Sequence, residues 1–207
     1  MTQFKDKRIT RSLVYLVVPI LLSNQASAQL TIKEQPVNRW LNIEEEQFQQ
    51  GQYKVAEQSG AIYLSLQDID LHHINYTAVD KASYYKSVAA LKADDSFSVD
   101  NATRYLNSTA NPAYKQRTAY AIAQHYFRQN EFAKAIQYYE MAGIYNLSNR
   151  EIADAKFELA YCYFNMKRFD QAEPLLQAIK EVDGKYYMPG NYYYGLLAYN
   201  QNDYKNA

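Results

Sequence analysis

A single cysteine, Cys162, excludes an internal disulfide framework. It stands between Tyr161 and Tyr163 with no His or second Cys nearby in sequence, so a buried, inert thiol is expected. Three histidines, His72, His73 and His125, are too few and too scattered for a metal cluster. There is no glycine-rich phosphate loop, no G-x-S-x-G and no H-E-x-x-H, and no enzyme activity or cofactor is expected. Only 6 Gly and 5 Pro in 207 residues disfavour linkers and strand-and-turn folds. Neither charge sign dominates: 22 basic residues face 22 acidic ones, which gives no general attraction to nucleic acid or an anionic surface. The longest apolar run, Leu13 to Leu22, is ten residues, short of the roughly 20 that span a bilayer.

That run has a context. Lys5, Lys7, Arg8 and Arg11 precede it, and Ala26-Ser27-Ala28 follows it. A basic segment, an apolar segment and an A-x-A site make residues 1–28 a cleaved export signal, with the mature chain starting near Gln29. No cysteine stands at the cleavage point, so lipid attachment there is not expected, nor is membrane insertion after cleavage.

What the chain has in excess is tyrosine, 22 residues of it. Many of these sit in a pattern that recurs. Ile122-Ala123-x-x-Tyr126 then Phe132-x-x-Ala135-x-x-x-Tyr139 returns as Leu159-Ala160-x-x-Tyr163 then Phe169-x-x-Ala172-x-x-x-Leu176, and begins again at Tyr194-Gly195 with Tyr204-x-x-Ala207. Each unit carries two amphipathic helices, with small residues where they cross and aromatic residues in the wedge between pairs. No pair can bury its apolar face alone, so pairs must stack.

Weaker copies precede these. Val99-x-x-Ala102-x-x-x-Leu106 matches the second-helix pattern, and Asp80 is a reasonable N-cap for the helix before it. Residues 29–79 read as a degenerate first unit and a connection. Trp40, Leu41, Ile43 and Phe48 share a face, Gly51-Gln52 turns the chain, and Tyr53-x-x-Ala56 opens a second helix in which Gly60 replaces the later aromatic. Glu44, Glu45 and Glu46 read as a solvated face. Asp68 to Val79, with His72-His73, has no clear period and is long for a helix connection. Asn111-Pro112 and Ser148-x-x-Glu151 are helix-start signals, and Pro174 is expected in a first helical turn, where its missing N–H is harmless.

The spacing resembles that of the tetratricopeptide repeat (TPR), with its L-G-x-x-Y…A-x-x-x-F signature and period of about 34 residues. The resemblance is clear over Ala82–Ala207 and weak over Val37–Gln67. It implies an all-α, TPR-type α-solenoid of antiparallel helix pairs, with TPR-like repeats over 80–207 and the last pair incomplete at Ala207. It resembles in particular the tyrosine-rich exported TPR proteins of Gram-negative bacteria. That implies a scaffold or adaptor for protein–protein contacts in the cell envelope, periplasmic or associated with the outer membrane, with no nucleic-acid partner. In TPR proteins the first helices line the concave groove. The matching positions here are Arg117, Tyr120, Gln124, Phe127 and Arg128; Phe157, Tyr161, Phe164 and Asn165; and Tyr192, Leu196, Tyr199 and Asn200. The groove so formed would take a peptide or helix, or its rings would pack between neighbouring first helices. One TPR subclass grips a C-terminal carboxylate with Lys and Asn, but those positions here hold Tyr120, Gln124, Phe157 and Tyr161. Two other roles suit the same pattern: the sensor half of a longer membrane receptor, or an accessory to glycan uptake.

The repeat phase makes Ala160 a crossing point. Ala160→Leu should overpack it and lower the stability of the fold by about 1–3 kcal/mol, read as an earlier thermal or urea transition; an unchanged transition would remove this phase assignment.

Overall fold

The computed structural model describes residues 37–67, 74–95, 97–144, 147, 149–180 and 184–203. The expected export signal, His72-His73, Ser148 and Tyr204–Ala207 lie outside them. The described residues form nine helices: α1 (Val37–Gln49), α2 (Tyr53–Gln67), α3 (Tyr76–Lys92), α4 (Ser98–Ser108), α5 (Pro112–Arg128), α6 (Phe132–Ala142), α7 (Asn149–Asn165), α8 (Phe169–Lys180) and α9 (Tyr187–Asn200). They run as antiparallel pairs, α1/α2, α3/α4, α5/α6 and α7/α8, with α9 following α8 and packed against it. Described by itself, the unit from Trp40 onward is an all-helical α-solenoid of the TPR-like kind.

One turn is used five times. Each first helix ends in a left-handed residue: Gly51 (φ 75°), Asp94 (φ 51°), Asn130 (φ 59°), Lys167 (φ 58°) and Asn202 (φ 62°). The residue after it donates its N–H back five positions: Gln52 to Gln47, Asp95 to Ala90, Glu131 to Tyr126, Arg168 to Tyr163 and Asp203 to Ala198, all at 2.8–3.1 Å. This is the Schellman solution to the unpaired carbonyls of a helix end, and it reverses the chain within a few residues. Gly and Asn tolerate a positive φ, whereas Lys167 adopts it against the side-chain preference.

The signature alanines explain the spacing of the helices. Ala56, Ala102, Ala135 and Ala172 on second helices, and Ala123 and Ala160 on first helices, are all fully buried. A methyl group at the crossing lets two backbones approach, and larger residues on either side then close the core: Leu91, Leu106, Ile122, Tyr139, Leu176 and Leu197. The shared core runs from Tyr84 to Leu197 without a break.

Three local expectations are corrected. The α3 helix starts at Tyr76, not after Asp80: Asn75 is the N-cap, its Oδ1 accepting from the Ala78 N–H at 3.2 Å. Asp80 instead lies inside the helix and accepts from Tyr105 Oη and Thr109 Oγ1, each at 2.9 Å, tying α3 to the end of α4. Pro174 is the sixth residue of α8, beyond the turn whose donors are unpaired in any helix, so it deletes an internal donor. It is exposed there, where water can reach the carbonyl it leaves unpaired.

The third correction concerns the acidic run. Glu46 is exposed and Glu45 accepts from Lys81 Nζ at 2.6 Å and Tyr85 Oη at 3.0 Å, but Glu44 is fully buried. It fills the space over Gly60, where an added Cβ would lie 2.0 Å from Glu44 Oε1 and 3.1 Å from Lys86 Cβ. The glycine that replaces the later aromatic is therefore the position where α1, α2 and α3 converge on a carboxyl group. Neither Glu44 oxygen has a hydrogen-bond partner among the described residues, and the same holds for the buried Tyr63 hydroxyl and Trp40 indole N–H.

Burial pushes the Glu44 carboxyl up to about 8; the nearby charges of Lys86 and Lys81 oppose the shift and Glu45 adds to it. The folded chain then holds this proton more tightly than the unfolded chain. Its contribution to stability is complete below the ordinary carboxylate range and is lost as pH rises from about 4.5 to about 8. Each pKa unit is worth about 1.4 kcal/mol. The urea midpoint of the wild type should accordingly fall between pH 5 and pH 9, while that of Glu44→Gln falls much less and exceeds the wild type at pH 9. Parallel pH profiles would show that Glu44 is ionised and compensated.

Candidate functional site

The first helices of the solenoid set one face. On it, α1, α3, α5 and α7, with Tyr53 from the start of α2, enclose an open cleft of about 280 Å³. Its walls are aromatic, from Phe48, Tyr53, Tyr84 and Tyr120, and its polar groups are Lys92, Arg117, Gln124 and Glu151. Periodicity explains the arrangement: Tyr84, Val88 and Lys92 stand at i, i+4 and i+8 on α3, as do Arg117, Tyr120 and Gln124 at i, i+3 and i+7 on α5. The Lys92 ammonium sits 5.4 Å above the centre of the Tyr53 ring. Burial holds the Lys92 pKa below the usual lysine value, and the charge of Arg128 adds to that. Tyr84 stacks on Tyr114, ring centres 4.6 Å apart, and its hydroxyl pKa is raised by burial and partly brought back by Arg117.

Of the residues singled out from the sequence, Arg117, Tyr120 and Gln124 line this cleft. Tyr120 is mostly buried, with only its edge reaching the cleft. Arg128 is turned away to the ends of the pairs, where it donates to the Leu91 carbonyl at 3.2 Å and lies 3.4 Å from Asp94 Oδ1. Asn165 and Asn200 each donate to a carbonyl one turn back in their own helix, Tyr161 and Leu196, both at 2.8 Å.

The aromatic positions form a ring lattice between successive helices. Tyr161 is half-buried and meets Phe127 of α5 at 5.7 Å, Phe132 of α6 at 5.8 Å and Tyr193 of α9 at 5.1 Å, all edge-to-face. Phe157 stacks on Tyr186 at 4.6 Å, and Phe164 meets both Tyr193 and Phe169. Such pairs stabilise packing by about 0.5–1.5 kcal/mol each beyond their buried area. Phe127, Phe157, Tyr161 and Phe164 thus spend much of their surface on one another. Tyr192 and Tyr199 remain exposed, at 62% and 63%, and Leu196 is half-buried beside them.

Beneath the cleft lies a polar link that the sequence reading missed. Tyr139 Oη, fully buried on α6, donates to Glu158 Oε2 of α7 at 2.7 Å. Gln124 Nε2 of α5 donates to the same oxygen at 3.3 Å and to Tyr120 Oη at 2.9 Å. Burial raises the Glu158 pKa, and these two donors restrain it. The missed cleft residues, Phe48, Tyr53, Tyr84, Lys92 and Glu151, come mostly from helices whose repeat signature is weakest. Cys162 is buried as expected, and burial, with Glu158 nearby, pushes its thiol up to about 12. Among the described residues no cluster of three or more His, Cys, Asp or Glu is arranged to hold a metal, and no helix is long and apolar enough to cross a membrane.

Antiparallel pairs, a repeated Schellman turn and first helices that share a face define the class as a TPR-like solenoid. No family model matches the chain, and no curated protein does. Among solved structures it is similar to the crystal structure of a point variant of nearly identical TPR-like repeats, from a chain assigned as a kinesin light chain of Podosopora anserina. The two share 12% identity and superpose with a TM-score of 0.56 over 82% of this chain and 88% of that one. At that identity the likeness shows the fold alone.

The link under the cleft is testable by stability. Tyr139→Phe removes a donor from a carboxylate that burial already disfavours, and should cost about 1–3 kcal/mol in urea unfolding at pH 7. A loss under about 0.5 kcal/mol would mean that water replaces the hydroxyl.

Proposed function

We propose that this chain is an exported scaffold that binds a peptide or an amphipathic helix of a protein partner along its first-helix face. The observation that carries the reading is the cleft between α1, α3, α5 and α7: aromatic walls with a few donors and acceptors at fixed positions. Rigid rings supply contact area at small entropic cost, and Arg117, Gln124 and Lys92 supply orientation. The exposed Tyr192 and Tyr199 extend the aromatic surface along α9. The half-buried rings from Phe127 to Phe164 shape the floor by holding neighbouring first helices in register. Export, and a place in the periplasm or at the outer membrane, rest on the residues of the N-terminal 28. A scaffold role fits a face that offers recognition groups.

The test is site-specific photo-crosslinking in the native cell. A crosslinking residue at Arg117 or Tyr192 should capture one protein partner, while one at Ala178, exposed on a second helix, should not. Adding Gln124→Ala and Tyr53→Ala should abolish the Arg117 adduct. Mass spectrometry of the adduct should also find Gln29 as the first residue. Equal capture from Ala178 would overturn the binding face, and an intact Met1 would overturn export.

A further inference from the structure

The helix that supplies Tyr84, Val88 and Lys92 to the cleft has a different character on its other side. There α3 faces α2 and α4, and Ser83, Lys86 and Ser87 enclose, with Asn101 and Arg104 of α4 and Glu57 of α2, a second cleft of about 260 Å³. This is just below the roughly 300–1,000 Å³ of small-molecule sites, a size for one small ring. We infer that this cleft binds a hydroxylated monocarboxylate of the sugar-acid type.

The chemistry follows from the lining. Among the described residues no carboxylate forms an ion pair with Lys86 or Arg104. Arg104 uses one N–H on Asn101 Oδ1, a long bond of 3.3 Å, and keeps the rest of its planar fork for a carboxylate. Lys86 is half-buried, and its charge also acts on the buried Glu44. Two cations so placed select an anion. Glu57, whose Oε2 is buried and 3.5 Å from Lys54, adds an opposing requirement. It repels a second negative charge and accepts hydrogen bonds, so the ligand must present O–H donors and carry one charge only. Ser83, Ser87 and the Asn101 amide donate and accept, which suits vicinal hydroxyls. Tyr105 offers its ring and not its hydroxyl, which is already bound to Asp80. The alternation of cation, hydroxyl and acid across three helices distinguishes this cleft from the aromatic one on the opposite side of α3.

The full chain should be titrated with glucuronate, and separately with glucose and with inorganic phosphate, while backbone amide NMR shifts are followed. Glucuronate should move the amides of Ser83, Ser87, Asn101 and Arg104 saturably. Its affinity should fall roughly tenfold or more in Arg104→Gln and weaken steadily with added salt. Arg104 is exposed, so a circular dichroism melt should be unchanged in that variant. Glucose should leave these amides in place, and Glu57→Gln should admit phosphate. Absence of saturable glucuronate shifts, binding unaffected by Arg104→Gln, or phosphate bound as tightly by the wild type would each overturn the proposal.

Discussion

The distance between helix axes is set by a methyl group. The signature positions of first and second helices carry alanine, and Ala56, Ala102, Ala123, Ala135, Ala160 and Ala172 are all shut off from solvent. Close crossing leaves a tapering space on either side, too wide for alanine and too irregular for leucine alone. The aromatic residues fill it. Tyr139 places its hydroxyl deep between helices and Tyr163 carries its own out to the edge, and both find carboxylates: the half-buried Glu158 at 2.7 Å and the exposed Glu140 at 2.8 Å. A chain with 22 tyrosines can bury many of them and still satisfy most of their hydroxyls, Tyr63 being an exception, because the phenol oxygen reaches past the ring to the neighbouring helix.

Much of this was legible in the sequence, because close crossings and wedge rings are bound to fixed spacings. Ala135 to Ala172 reads as a period, and so does Phe132 to Phe169. Less legible was the turn that makes the spacing possible. Gly51 announces a positive φ, but the other four positions are Asp94, Asn130, Lys167 and Asn202, with no one residue type common to all, since the motif is made by backbone bonds. The 46 residues from Ala56 to Ala102 looked like a broken phase. They divide into helices of ordinary length with additional residues between α2 and α3 and between α3 and α4. The long connection expected up to Val79 is shortened by the cap at Asn75, a residue as good at capping as the Asp80 that follows it one turn later.

Charge was where pattern misled most. Three consecutive glutamates look alike on a helical wheel and meet three environments: a buried socket over Gly60, a bond network with Lys81 and Tyr85, and solvent. Nothing in the run Glu44-Glu45-Glu46 distinguishes them. The signal lay sixteen residues away, in a glycine standing where later units carry an aromatic. A missing side chain in one helix is room for a side chain from another, and a repeat reading that treats Gly60 as decay loses that information.

The candidate groove shows the same logic in its packing. Residues chosen as ligand contacts by their place on first helices divide according to whether another helix follows closely. Between α5, α7 and α9 the rings meet one another, so Phe127, Phe157, Tyr161 and Phe164 are held by structure. Around α3 the first helices leave a cleft, where Lys92 stands over a ring face and Arg117 lines the wall instead of being covered. First-helix surface between α5, α7 and α9 is thus spent on ring packing, whereas around α3 it stays open. Helix α3 follows the residues added after α2 and precedes those added before α4, and the aromatic and the charged cleft both lie against it.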